Sequence, residues 1–241
     1  MFEGPKRSFD ISLANSGKDS ATYVISFIQI RMTENGAFET VETPDQGQRF
    51  ADTFLRIFPR QVTLAPNEAQ TVKVQTRRIN EMKEGEYRSH LYFRAVPKEP
   101  PLGESNTKGD SSIAVRITPI YGISIPVIIK VGKSDTQVEL THVSLNLDQE
   151  HGPVTTISFQ RMGNMSVYGD IIVNHISAQG KMTKVGAAKG FAVYTPNAVR
   201  KFDLALDKTL PVDYKAGKLQ VLYTDQASTS VVLAQKEISL Q

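Results

Sequence analysis

From Ile113 to Val131 every odd-numbered position is apolar: Ile113, Val115, Ile117, Pro119, Tyr121, Ile123, Ile125, Val127, Ile129 and Val131. The even positions mix Ala114, Arg116, Thr118, Ile120, Gly122, Ser124, Pro126, Ile128 and Lys130. Alternation with a period of two predicts a β-strand with one buried face. Strands ordinarily run about five or six residues, and this pattern persists from 113 to 131. Proline cannot donate to a β-ladder, so Pro119 and Pro126 confine the strand to an edge or to bulged positions. Ile113, Val115 and Ile117 form an apolar run whose nearest charge, Arg116, lies on the alternate face. Such a strand either packs its own core before crossing into a second domain, or lends an exposed edge to a partner.

The rest of the chain reads as strand after strand. Phe9, Ile11 and Leu13 alternate up to a turn signal at Asn15-Ser16-Gly17-Lys18-Asp19. Tyr23 to Ile30 follows, closed by Glu34-Asn35-Gly36, and then come Phe54 to Phe58, Val62 to Leu64 and Thr71 to Val74, punctuated by Pro59 and Pro66. Tyr87, Ser89, Leu91, Phe93 and Ala95 alternate again, ahead of a polar, Pro/Gly-rich stretch at 97–110 that predicts a mobile loop. Beyond the long strand the pattern restarts at Val138 to Leu147. It continues through Thr155 to Phe159, Gly169 to Val173, Phe191 to Tyr194, Lys201 to Leu206, Leu219 to Tyr223 and Val231 to Leu240. About seven short strands in each half, with turns between them, predict an all-β fold of two immunoglobulin-like β-sandwich domains in tandem. The expected domains are 1–133 and 134–241, with the boundary near Gly132-Lys133-Ser134-Asp135.

Composition changes this picture little. A chain of 241 residues with 40% apolar residues can bury two cores, and no run of about 18 apolar residues predicts a membrane span. No cysteine is present, so disulfides and thiolate metal sites are excluded. The start, MFEGPKRS, lacks an apolar leader core, which fits a cytoplasmic protein or an exported one already processed. The formal net charge is +3, and its surplus lies in residues 1–133, with 18 Lys/Arg against 15 Asp/Glu.

Candidate chemistry is sparse. His90, His142, His151 and His175 are scattered, with no helical pair of ligands. Gly132-Lys133-Ser134 resembles the end of a phosphate loop, but Val127 stands where the first glycine belongs. Asn164-Met165-Ser166 matches a glycosylation sequon. Lys73, Arg77, Arg78, Lys83, Arg88, Arg94 and Lys98 are interleaved with Tyr87, Tyr92 and Phe93. Glu81, Glu84 and Glu86 dilute that series, which predicts the wet face of strands rather than a nucleic-acid surface. No catalytic residue, metal site or cofactor is expected, and neither nucleic-acid binding nor membrane insertion.

Several pieces, in order, carry a resemblance. FEGPKRSFDISLANSG ends an apolar strand in an Asn-led turn, and FPRQVTLAPNEAQTVKV combines a proline, an apolar pair, Pro-Asn, Gln and Val-basic-Val. EYRSHLYFRAVP ends in a proline before the mobile loop and the long strand, and VDYKAGKLQV lies late in the second half. Together these resemble the periplasmic chaperones of chaperone–usher pilus assembly, over nearly the whole length. The resemblance implies two immunoglobulin-like domains in a boomerang arrangement and a periplasmic location. It implies a pilus or fimbrial subunit as partner, with an outer-membrane usher as recipient and self-association through the long edge strand. Ile113, Val115 and Ile117 are then the donated side chains, the loop at 97–110 orders on binding, and Asp213 is an interdomain polar contact. The family holds the subunit's terminal carboxylate with an Arg and a Lys. Aligned on Phe2 and Ser8, that Arg falls upstream of Met1, and Ile120, Tyr121 or Gly122 occupies the Lys position, so the anchor is unassigned. Arg88 stands where the family has a Glu. The alternative function is a tandem immunoglobulin-like structural or adhesive module whose long strand serves its own core.

Overall fold

The computed structural model describes residues 7–97, 119–148, 152–228 and 230–240. Sixteen strands follow one another: β1 (Ser8–Ala14), β2 (Ala21–Ile28), β3 (Ile30–Met32), β4 (Phe38–Thr40), β5 (Leu55–Phe58), β6 (Gln61–Leu64), β7 (Ala69–Thr76) and β8 (Gly85–Ala95) in the first part. The second part continues with β9 (Gly122–Val131), β10 (Gln137–Asp148), β11 (Gly152–Met162), β12 (Val167–Ile176), β13 (Met182–Val193), β14 (Val199–Ala205), β15 (Gly217–Asp225) and β16 (Val232–Leu240). Helix among the described residues is confined to two 3₁₀ turns, Asp52–Phe54 and Ile79–Glu81. The chain divides into two compact units. One comprises the residues up to Gln29, Phe50–Met82 and Tyr87–Ile129; the other comprises Ile30–Arg49, Lys83–Glu86 and the residues from Lys130 onward.

In the first unit a three-stranded sheet, β1-β7-β5, and a four-stranded sheet, β6-β2-β8-β9, make the two layers. β7 runs antiparallel to β1 and β5, and β2 runs antiparallel to β6 and β8. The alternation of the sequence becomes the inward faces: Ile57 on β5, Val62 and Leu64 on β6, Val72 and Val74 on β7, and Leu91 and Phe93 on β8 are all buried. The turn after β1 closes on Asn15, whose Nδ2 donates to Asp19 O (2.8 Å) and Leu64 O (3.1 Å) while Oδ1 accepts from Gly17 N–H (2.9 Å). A short amide that satisfies both its own turn and a distant strand is what an Asx turn supplies. Ser89, fully buried, accepts from the N–H groups of Ala51 (2.9 Å) and Asp52 (3.1 Å) and donates to Gln29 Oε1 (2.8 Å). It thereby pins the 3₁₀ turn to the sheet.

β8 departs from the expected wet face. Glu86, Arg88 and His90 are 3%, 4% and 5% exposed, although their neighbours Tyr87, Leu91 and Phe93 are buried too. The reason is cover: β2 pairs with β8 only from His90 to Ala95, but both faces of β8 are buried from Gly85 to Leu91. Burial pushes the His90 imidazole down to about 4, with the charge of Arg88 acting in the same direction.

The second unit packs β10-β11-β14 against β13-β12-β15-β16. Its core holds Phe159, Phe191 and Tyr223, with ring centroids 4.4 Å apart for the first pair and 5.2 Å apart for Phe159 and Tyr223. Tyr223 donates its hydroxyl to Phe191 O at 2.9 Å, and burial raises its pKa. Full burial of one such aromatic is worth roughly 1.5–3 kcal/mol. The first nine of the 12 residues of β13, Met182–Gly190, are strand where the sequence pattern carried no expectation. Its Lys, Ala and Gly residues lack alternation, and the pairing is set by register with β12, Ile172 facing Ala187 and Ile176 facing Met182. The hairpin β3–β4, also absent from the expectation at its second strand, belongs to this unit.

Candidate functional site

The strongest feature outside the cores is the edge formed by β9 and the residues just before it. β9 is the outermost strand of its sheet, hydrogen-bonded to β8 on one side, with no strand on the other among the described residues. Ala95 N–H donates to Tyr121 O at 2.9 Å, which extends the pairing one residue before the strand proper. Pro126 lies within β9, as an edge strand allows. The expected alternation of burial is replaced by a gradient. Tyr121 is 75% exposed, Ile123 is 66% exposed and Ile125 is half-buried, whereas Val127, Ile128 and Ile129 are buried in succession. Ile120 is also half exposed. Burial therefore follows position along the strand: the second half is core and the first half stands out in solvent.

An edge with exposed branched side chains is the arrangement that soluble proteins ordinarily suppress with charge, shortness or cover. Here the outward N–H and C=O groups are accompanied by Ile120, Tyr121 and Ile123, and the first charge of β9 is Lys130 at its far end. Chemically such an edge offers a ladder to any extended backbone, and apolar contacts to alternate side chains of it.

The sequence-derived site residues fall as follows. Ile113, Val115 and Ile117 lie outside the described residues, as does all but the first residue of the loop at 97–110; the described edge continues their odd-numbered series at Tyr121 and Ile123. Asp213 is exposed in the segment between β14 and β15, where its Oδ1 accepts from Lys215 N–H (2.9 Å) and its carbonyl lies 3.0 Å from His175 Nε2. His90 and His175 are buried, His142 is exposed on β10 and His151 lies outside the described residues. Among the described residues no three His, Asp or Glu side chains come together as metal ligands. The sequon is built into a turn: Asn164 Nδ2 donates to Lys133 O (2.9 Å), and Asn164 N–H donates to Asp135 Oδ1 (2.8 Å).

Two residues escaped the sequence reading. Glu86 is buried within the second unit, where its carboxylate accepts from Ser166 N–H (2.9 Å), from the Ser166 hydroxyl and from Thr195 Oγ1 (3.1 Å). Arg161 nearby spends its guanidinium on carbonyls, Nε to Asn197 O (2.9 Å) and Nη1 to Gly163 O (2.7 Å) and Met165 O (3.0 Å); burial lowers its pKa and the charge of Glu86 opposes that. Nothing in the charge pattern distinguished Glu86 from its solvated neighbours. The second is Tyr92 on β8. A methyl group at Gly122 would lie 2.4 Å from both Tyr92 Cε2 and its Oη. Gly122 has no left-handed φ to account for it, so its bareness serves the ring lying across it. A glycine inside a strand is the sequence signal for such an approach.

No protein-family model matches the chain, and no curated protein matches it. Among solved structures the chain is similar to one described as the chaperone–tip adhesin complex of CFA/I fimbriae biogenesis, with 14% identity, 97% of this chain and 91% of that chain covered, and a TM-score of 0.46. It is similar to the class 5 fimbriae chaperone CfaA at 12% identity, over 97% of this chain and 92% of that one, with a TM-score of 0.46. The Pseudomonas aeruginosa CupB2 chaperone follows at 8% identity, 98% and 92% coverage and a TM-score of 0.41.

Proposed function

We propose that this protein is a periplasmic assembly chaperone that binds pilus or fimbrial subunits by lending them an edge strand. The observation that carries the reading is the open edge of β9, with Tyr121 and Ile123 exposed on one side of it and Ile120 on the other. A subunit whose own β-sandwich lacks a strand supplies the complementary surface: an unpaired backbone row beside an apolar groove. Main-chain ladder bonds give affinity that tolerates sequence variation, and alternate side chains entering the groove give selectivity. On the family resemblance, Ile113, Val115 and Ile117, upstream of the exposed pair in sequence, are the side chains that enter that groove. Handing the subunit to an outer-membrane usher, and self-association of the free protein through the same edge, complete the reading.

The test is capture of a tagged full-length protein from the periplasm of its own host, with mass spectrometry of what accompanies it. A stoichiometric, small β-rich protein with an incomplete sandwich is the expected result. A clean monomer, recovered while the subunits are being made, would instead identify a structural or adhesive module whose edge has no client.

A further inference from the structure

We infer that Tyr92 reads the incoming strand, selecting a hydroxyl-bearing side chain opposite Gly122. The inference rests on the strand-addition reading above and concerns the same edge. Tyr92 belongs to β8, one strand in from the edge, yet its phenol end lies over β9: the place where a Gly122 side chain would start is 2.4 Å from Tyr92 Oη and 2.6 Å from Cζ. The ring thus crosses the full spacing between strands, about 4.8 Å, and delivers its hydroxyl to the outermost strand.

The two sides of the edge consequently differ in chemistry. Odd positions present Tyr121 and Ile123, both largely exposed. Even positions present Ile120, then the Tyr92 phenol in place of a Gly122 side chain, then exposed Ser124. A residue directly opposite Gly122 on an added strand would have its Cβ about 4.5–5.5 Å from the Gly122 Cβ position. That gap fits one hydroxyl on the incoming side chain hydrogen-bonded to Tyr92 Oη, at the roughly 2.7–2.8 Å normal for such a pair. An aliphatic residue there would cover the phenol oxygen without bonding to it. The favoured guest is a segment with apolar residues toward Tyr121 and Ile123 and Ser or Thr toward Tyr92.

Two peptides test this without requiring the natural partner. Both carry Ile at alternate positions and terminal lysines; the intervening positions are all Thr in one and all Val in the other, so the pair differs by hydroxyl against methyl in any register. Binding of each to the wild-type protein and to Tyr92→Phe is measured by fluorescence anisotropy. A net hydrogen bond is worth about 0.5–1.5 kcal/mol, so the Thr-to-Val affinity ratio should fall roughly twofold to tenfold in Tyr92→Phe. Gly122→Ala, which displaces the phenol, should reproduce that fall. If both peptides bind and the ratio is the same in all three proteins, the role of Tyr92 is overturned while strand addition stands. If neither peptide binds the wild type, strand addition to this edge and the role of Tyr92 fall together.

Discussion

Two sheet edges of this molecule are treated in opposite ways. β14 ends the sheet β10-β11-β14, and its outer side is closed: Lys201 N–H donates to Glu34 O at 2.7 Å, and the Arg200 side chain lies against Gly36, where a methyl would be 2.6 Å from Nη2. Asn197 Nδ2, just before β14, donates to Met32 O at 2.5 Å. The turn between β3 and β4 thus caps that edge within the second unit, and Arg200, Lys201 and Asp203 add charge along it. β9 ends the sheet β6-β2-β8-β9 and, among the described residues, has neither cap nor charge along its exposed half, with isoleucines and a tyrosine in their place. The chain therefore carries the means of blunting an edge and applies them to one of these two. An apolar edge left uncovered among the described residues, in a chain that guards another, agrees with the proposed strand addition.

Placing a charge on the open edge should have the largest effect. Ile123→Lys should reduce capture of the subunit by a hundredfold or more, because the ammonium has to be desolvated against an apolar groove. Its cost to stability should stay within about 0.5 kcal/mol, since the side chain is 66% exposed. Capture assays beside thermal unfolding separate the two, and unfolding of the variant without selective loss of capture would mean that the edge is core.

Acid should weaken the support of the open edge by a smaller amount. His90 on β8 has a folded pKa of about 4 against 6.5 for the free side chain, so its contribution is complete above pH 6.5. It declines as pH falls from there toward 4, where the folded state must also bind the proton. With solvent screening allowed for, the full loss is roughly 2 kcal/mol. Denaturant midpoints of wild type and His90→Gln across this range should converge as pH falls; parallel curves would show that His90 does not titrate as buried.

Opening the guarded edge should cost less again. Gly36 has φ +85° and lies under the Arg200 guanidinium, so Gly36→Ala meets both a backbone penalty and a clash. A loss of about 1–2 kcal/mol, together with a rise in light scattering as β14 is uncovered, is the expected outcome. Loss of stability with no added scattering would mean that the turn guards nothing.

How far the sequence reaches is seen in particular residues. Alternation located the cores of both units, Val72 and Val74 in one and Leu219, Val221 and Tyr223 in the other, because inward faces repeat every second residue. Pro119 and Pro126 confined the long strand to an edge or to bulged positions for a physical reason, the missing donor, and among the described residues β9 is an edge strand. The gradient of exposure along β9 was not legible, since the period of two says which residues share a face and not how far cover extends. Glu86 and Arg88 were read as solvated because a charge pattern on a strand does not show whether both of its faces are covered. Tyr92 over Gly122 was not read from the sequence; a glycine inside an apolar strand is the signal that could have raised it, but which neighbour occupied the space needed the fold.

The most direct test of the central claim is hydrogen exchange of the amides from Gly122 to Ile125, in the free protein and in its complex with the captured subunit. If β9 lends its edge, the outward-facing amides among these exchange rapidly in the free protein at dilutions where it is monomeric and become protected in the complex, while those bonded to β8 change little. Equal exchange in both states, with protection appearing elsewhere on the molecule, would contradict strand addition at β9.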